Sequence, residues 1–253
     1  MRVFSHTCSN TEIVCALGCA EMLVGIDTDS DYPPEVVAPL PKLGRDLDLA
    51  AERVKDFKPD LVLTSLTVPG HERIVEALRA DGLPLLVIDP LSLDDVYDNI
   101  VQIAEALGVL ARGRALVAQM QAQMPPVERA APRPRVLVEW WPKPVIAPAA
   151  QSWVTDMIEL AGGENPWKHA AGKSLPLEDA AVVAAAPDAI VMSWCGVKVQ
   201  NYRADVVARR PGHERIPAVQ QHRVHAVSEE FLGRPGPRLV EGYRALRDII
   251  AAI

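Results

Sequence analysis

Cys8 stands two residues after His6, a nucleophile beside a base. On a strand such neighbours share a face, which would let the imidazole take the thiol proton. No other part of a nucleophilic site joins them. The Gly-x-Ser-x-Gly, His-Glu-x-x-His and Gly-x-x-x-x-Gly-Lys-Ser/Thr patterns are all absent. No catalytic residue is assigned, and an enzyme working through Cys8 is kept only as the rival reading. Cys15 and Cys19 are spaced i, i+4 on an expected helix and read as buried, reduced side chains. Neither the cysteines nor the scattered His213, His222 and His225 form a metal-ligand pattern, so no metal site is expected and those histidines read as surface residues.

Aromatic groups offer a different chemistry. All five tryptophans lie between Trp140 and Trp194. The run Glu139-Trp140-Trp141 follows an expected strand, where successive side chains point to opposite faces. It supplies either one core and one surface Trp, or a wall for a flat macrocycle. Trp194, at the end of another strand, poses the same choice. Phe231 lies between Glu229-Glu230 and Arg234-Pro235-Gly236-Pro237-Arg238, a tight loop entering the last helix. Arg234 there either bonds the neighbouring acids and loop carbonyls or meets an anionic group on a ligand.

These residues need elements to carry them. Strands are expected at Arg2–Ser5, Leu23–Ile26, Leu61–Thr64, Leu83–Ile88, Arg135–Trp140, Ala189–Ser193 and Val224–Val227. Helices are expected at Thr11–Leu17, with Ser9/Asn10 as its cap, and at Leu49–Phe57, Glu72–Ala80, Ser92–Leu107, Ala111–Met124, Trp153–Leu160, Leu177–Ala185 and Leu239–Ile250. The alternation predicts α/β architecture with parallel sheets. Lys58-Pro59-Asp60-Leu61-Val62-Leu63 echoes Ala186-Pro187-Asp188-Ala189-Ile190-Val191, a faint internal duplication. The expected division is an N-terminal lobe over 1–108, a joining helix over 109–132 and a C-terminal lobe over 133–253. Ligand loops follow the strands' carboxyl ends.

Composition narrows the function. Charged residues make up 23% and apolar residues 49% of the 253, as in an ordinary globular protein. Residues 1–110 carry 19 acids and 8 bases, and residues 111–253 carry 14 acids and 18 bases. A net charge of −7 argues against nucleic acid as partner. No apolar run reaches the roughly 18 residues of a membrane span. Met1-Arg2 leads straight into Val3-Phe4 without a signal-like segment. As written the chain is expected in the cytoplasm, with a periplasmic location as the alternative.

The opening Arg2-Val3-Phe4-Ser5 followed by Ser9-Asn10-Thr11-Glu12-Ile13-Val14 resembles the metal-chelate receptors of ABC importers. So, in order, do Val24-Gly25, Asp31-Tyr32-Pro33-Pro34, Lys58-Pro59-Asp60, Glu159-Leu160-Ala161-Gly162-Gly163 and Arg234-Pro235-Gly236-Pro237-Arg238. The set spans the chain and is most similar to the cobalamin-binding branch. The resemblance implies two parallel-sheet α/β lobes joined by a single long rigid backbone helix. It implies a non-catalytic monomer with no intrinsic cofactor. Its cargo would be cobalamin, or else another chelate such as haem or a ferric siderophore, held in a cleft between the lobes. By position the ligand-binding set is Cys8, Ser9, Asn10, Asp29, Tyr32, Leu66, Trp140, Trp141, Trp194, Phe231 and Arg234. Glu72 and Glu214 match the carboxylates through which exported members dock on an ABC permease.

Overall fold

The computed structural model describes residues 1–253. The chain begins with β1 (Val3–Ser5), α1 (Cys8–Ala16), β2 (Leu23–Ile26), α2 (Pro34–Val37), the hairpin strands β3 (Gly44–Arg45) and β4 (Asp48–Leu49), β5 (Leu61–Ser65), α3 (His71–Ala80) and β6 (Leu85–Ile88). Two long helices follow, α4 (Leu93–Ala106) and α5 (Leu110–Gln123). Then come β7 (Val136–Glu139), β8 (Trp141–Pro142), β9 (Val145–Pro148), α6 (Trp153–Leu160), β10 (Ser174–Leu177), α7 (Asp179–Ala185) and β11 (Ala189–Met192). The chain closes with α8 (Ala204–Ala208), α9 (Pro217–Gln220), β12 (Val224–Ala226), α10 (Glu229–Leu232) and α11 (Leu239–Ala251). Unit 1 comprises Met1–Pro90 with Asp95–Met120, and unit 2 comprises Leu91–Asp94 with Gln121–Ile253.

Unit 1 is built on a four-stranded parallel sheet in the order β2-β1-β5-β6. Its central strands are apolar on consecutive residues (Val3-Phe4, Val62-Leu63) because both faces are covered. α3 turns His71, Ile74, Val75 and Leu78 inward, the i, i+3, i+4, i+7 stripe of a helix lying on a sheet. Gly25 in β2 has no substitute, since a Cβ there would lie 2.9 Å from the Phe4 ring.

Unit 2 has a parallel sheet, β12-β11-β7, and a small antiparallel one, β10-β9-β8. In the antiparallel sheet Val145, Ala147 and Leu177 point into the core. Trp141, Ile146 and Pro176 pair across the strands on the opposite face. The sequence reading missed this sheet because prolines at 142, 148 and 176 mask its strands, and proline is tolerated at sheet edges. For the same reason Leu177, expected in a helix, ends β10 instead.

The duplicated phrase is a real structural repeat. Lys58 (φ 46°) and Ala186 (φ 45°) both take the left-handed conformation before the Pro-Asp pair. Asp60 then accepts the Arg2 backbone N–H at 2.7 Å, and Asp188 accepts that of Arg135 at 2.8 Å. The Arg2 and Arg135 guanidiniums close each joint on the carbonyls of Phe57 and Ala185. Each joint sets the register of β1 with β5, or of β7 with β11.

Three expectations change. The segment 109–132 is helical only over Leu110–Gln123, because Pro125 and Pro126 cannot continue it. Leu49–Phe57 forms 3₁₀ turns over Ala51–Phe57 rather than an α-helix. α1 starts at Cys8, one residue ahead of the expected cap, because a buried carboxylate holds the Thr7 N–H and fixes the chain there. The Ser9/Asn10 cap is therefore not used.

Candidate functional site

At the carboxyl end of the unit 1 sheet, polar side chains are buried rather than apolar ones. Asp27, just past β2, has no solvent exposure. Its carboxylate accepts the N–H groups of Thr7, Asp29 and Ser30 and the Ser30 hydroxyl. Burial still pushes its pKa up. This one side chain ties the β1–α1 loop to the loop after β2. The signal was present as an Asp whose neighbours two and three residues on are bonded back to it, an Asx turn.

The β3–β4 hairpin is fastened over the same end. His6 follows β1 and is fully buried. Its Nε2 meets the Asp46 carbonyl at 2.8 Å, so Nε2 carries the proton. Nδ1 is then a bare acceptor for the Thr64 hydroxyl at 2.8 Å. Burial, with His71 adding to it against the Asp46 carbonyl, pulls His6 down to about 4. The Asp46 N–H donates to Asp29, which also pairs with Arg45, and Arg73 bonds the Leu47 carbonyl. His71 Nε2 lies 3.6 Å from the Asp46 carboxylate. Burial raises the Asp46 pKa, but His71 and the Leu47 N–H outweigh it and hold the group below the usual range. Ser65 Oγ is 3.4 Å from His71 Nδ1, which completes a serine–histidine–aspartate row. Ser65 is fully buried, so its hydroxyl faces no incoming carbonyl and the row serves the hairpin. Leu47 at the hairpin tip and Val68 after β5 remain exposed.

The residues expected here fall into distinct environments. Cys8 opens α1 and its thiol donates to the Asp29 carbonyl, so it does not share a strand face with His6. Both nitrogens of His6 are engaged elsewhere, so it is not paired with Cys8 as the rival reading would need. Ser9 and Asn10 are buried, with the Asn10 amide bonded to the His6 carbonyl. Asp29 is committed to the hairpin. Tyr32 is exposed and Leu66 half-buried. Glu72 is exposed, and its carboxylate accepts the Gly70 N–H at 2.8 Å. Cys15 is half-buried in α1, while Cys19 lies beyond its end and is buried. No group of three or more His, Cys, Asp or Glu side chains is arranged to hold a metal ion.

In unit 2, Glu139 ends β7 with no exposure and is gripped by Arg210 through two bonds, 2.5 and 3.0 Å. The Trp194 indole N–H donates to the same carboxylate at 3.3 Å, and its ring packs on Tyr202. Trp194 is thus a core residue, the first of the two alternatives left open for it. Trp140 and Trp141 diverge: Trp140 tilts against Trp153, 6.1 Å between ring centres, while Trp141 is 44% exposed. Phe231 is half-buried under the Arg238 guanidinium, 4.9 Å from its ring centre. Arg234 pairs with Glu229 and Arg238 with Glu230, the structural alternative left open above. Glu214 is exposed, 3.6 Å from Arg215. His213 is fully buried rather than on the surface, 3.2 Å from Asp179, and burial with Arg210 nearby lowers its pKa.

The profile of the family described as Periplasmic binding protein matches residues 3–230. YvrC, an ABC transporter substrate-binding lipoprotein of Bacillus subtilis, is 31% identical over 98% of this chain and 79% of its own length. A vitamin B12-binding protein of Vibrio vulnificus is 25% identical over 100% of this chain and 90% of its own. Among solved structures, the periplasmic heme-binding protein RhuT of Roseiflexus superposes with a TM-score of 0.80, at 30% identity and 98% coverage of both chains.

Proposed function

The chain belongs to the periplasmic binding protein family, and from that premise we propose that it is the solute receptor of an ABC-type importer with a corrinoid as cargo. Trp141 is the observation that carries the cargo class. A large aromatic ring left 44% exposed on a two-residue strand, beside Trp140, offers the flat apolar face that a macrocycle stacks on. Further candidates, each taken within its own unit, are Phe231 in unit 2 and Tyr32, Leu66 and Leu47 in unit 1. Glu72 and Glu214, both exposed, are the carboxylates that this reading assigns to permease docking. The relatives named as a lipoprotein and as periplasmic support a site of action outside the cytoplasm, against the expectation from the chain's first residues. No helix is long and apolar enough to cross a membrane. Haem is the second cargo, favoured by the likeness to the Roseiflexus receptor.

Titration with cyanocobalamin, haem and a ferric siderophore, read by calorimetry and Trp fluorescence, tests this. Saturable corrinoid binding that Trp141→Ala weakens about tenfold or more, near 1.4 kcal/mol, is the expected result. Binding of haem alone moves the cargo to the second reading. Binding of none of the three removes the chelate function.

A further inference from the structure

The Gly44–Leu49 hairpin makes only two residues of strand on each side, too little to hold itself in place. Leu43 and Leu49 anchor its two ends in the core of unit 1, and its tip is held by the set of side chains gathered on Asp46 and its neighbours. His6 takes the Asp46 carbonyl, Asp29 takes its N–H, and His71 faces its carboxylate. Arg73 adds a bond to the Leu47 carbonyl, and the Thr28 N–H one to Gly44. Most of these groups are charged or titratable, and one of them, His6, is sealed beneath the hairpin with no exposure.

We propose that this hairpin is a latch closed over a neutral His6, and that acidification opens it and loosens the ligand-facing loops of unit 1. In the closed state the His6 ring has no water to solvate a positive charge, and the His71 ring lies edge-on at 5.1 Å. Opening returns the ring to solvent, where it protonates at its ordinary value. Proton uptake therefore favours the open form at every pH between the ordinary 6.5 and the closed-state value of about 4. The groups facing His6 and Asp46 pull in different directions. The Asp46 carboxylate favours a charged His6, His71 disfavours it, and Asp27 acts on Asp46 as a like charge. Asp29, which accepts the Asp46 N–H and pairs with Arg45 of the hairpin, and Arg73, which donates to the Leu47 carbonyl, hold the hairpin by contacts that do not involve His6.

The loosening of cargo contacts rests on the function proposed above; the latch itself does not. Hydrogen exchange at the Asp46 and Thr28 amides of the ligand-free protein, corrected for the intrinsic rate, reads the open fraction. It should rise about tenfold per pH unit on going from 6.5 toward 4. His6→Gln keeps a donor for the Asp46 carbonyl and an acceptor for Thr64 but cannot titrate, and should flatten the dependence. An equal slope in His6→Gln, or a flat wild type, overturns the latch. Should His6→Gln not fold, the wild type alone decides. The His6 ring resonances and the Asp46 amide must then shift with one midpoint, and separate midpoints overturn the proposal. A latch that responds in a protein binding none of the chelates would mean that the receptor function fails while the latch stands.

Discussion

The Glu139 carboxylate has no solvent exposure and three donors, two from Arg210 and one from Trp194. A charge so placed is tolerable only while its partner is present. Arg210→Met should therefore cost unit 2 about 3–5 kcal/mol, seen as a lower urea midpoint by Trp fluorescence, which reports unit 2 because every Trp lies there. Pairing it with Glu139→Leu should recover most of the loss. A single variant as stable as wild type would mean that the ion pair is not what keeps Glu139 inside. His213 is the second sensitive group in this region. Its folded-state proton affinity is depressed, chiefly by burial and then by Arg210. The unfolded chain therefore takes its proton first as pH falls through about 6.5. The stability that a neutral His213 brings is thus complete above that pH and drains away below it. His213→Phe should reduce the slope of urea midpoint against pH between 7 and about 5, and an unaltered slope would assign the acid sensitivity to other groups.

Between residues and units stand the two Pro-Asp joints, which let one substitution be made twice. Asp60 and Asp188 each accept one backbone N–H and set one strand pair. Asp60→Ala and Asp188→Ala should each cost about 1–3 kcal/mol, the loss of a charge-assisted bond. Each effect should stay in its own unit and the pair should add, as followed by hydrogen exchange in β1 and β7. A loss shared by both units would contradict this. The repeated phrase of each joint was legible in the sequence because it is local: left-handed residue, Pro-Asp turn and strand fall within a few residues, whereas the arginines that close it, 58 and 53 residues away, were not. The parallel sheets were legible through unbroken apolar runs such as Leu61-Val62-Leu63. The latch and the Glu139 clamp were not, because their partners lie 40 and 71 residues apart and are polar residues with no periodic signature. The same distance explains Trp194. Its aromatic ring is visible in the sequence, but the carboxylate that draws its N–H inward comes from another strand.

At the scale of the molecule, the whole-chain resemblance comes from motifs in fixed order, and the charge distribution is a separate, chain-wide property. Residues 1–110 carry 19 acids against 8 bases, while 111–253 carry 14 against 18. Five of the 19 acids in the first part, Asp27, Asp29, Asp31, Asp46 and Asp48, lie in the loop after β2 and in the β3–β4 hairpin, and the rest are spread over the other elements. Like charges at that density oppose compaction, and the cost is felt most at low ionic strength. Raising sodium chloride from about 0.1 to about 1 M shortens the screening length from roughly 10 to roughly 3 Å. Screening on that scale relieves repulsion between the exposed acids and leaves a buried pair such as Glu139–Arg210 almost untouched. Unit 1 should therefore open less often in high salt, by exchange at the amides of β1 and β5. The Trp-reported urea midpoint of unit 2 should move much less. The comparison separates repulsion from general salting-out, which would stabilise both units together, so equal shifts would show that the acidic excess carries no net cost. Replacing Asp31 or Asp48, both exposed, with Asn should imitate part of the salt effect at about 0.1 M and have little effect at about 1 M.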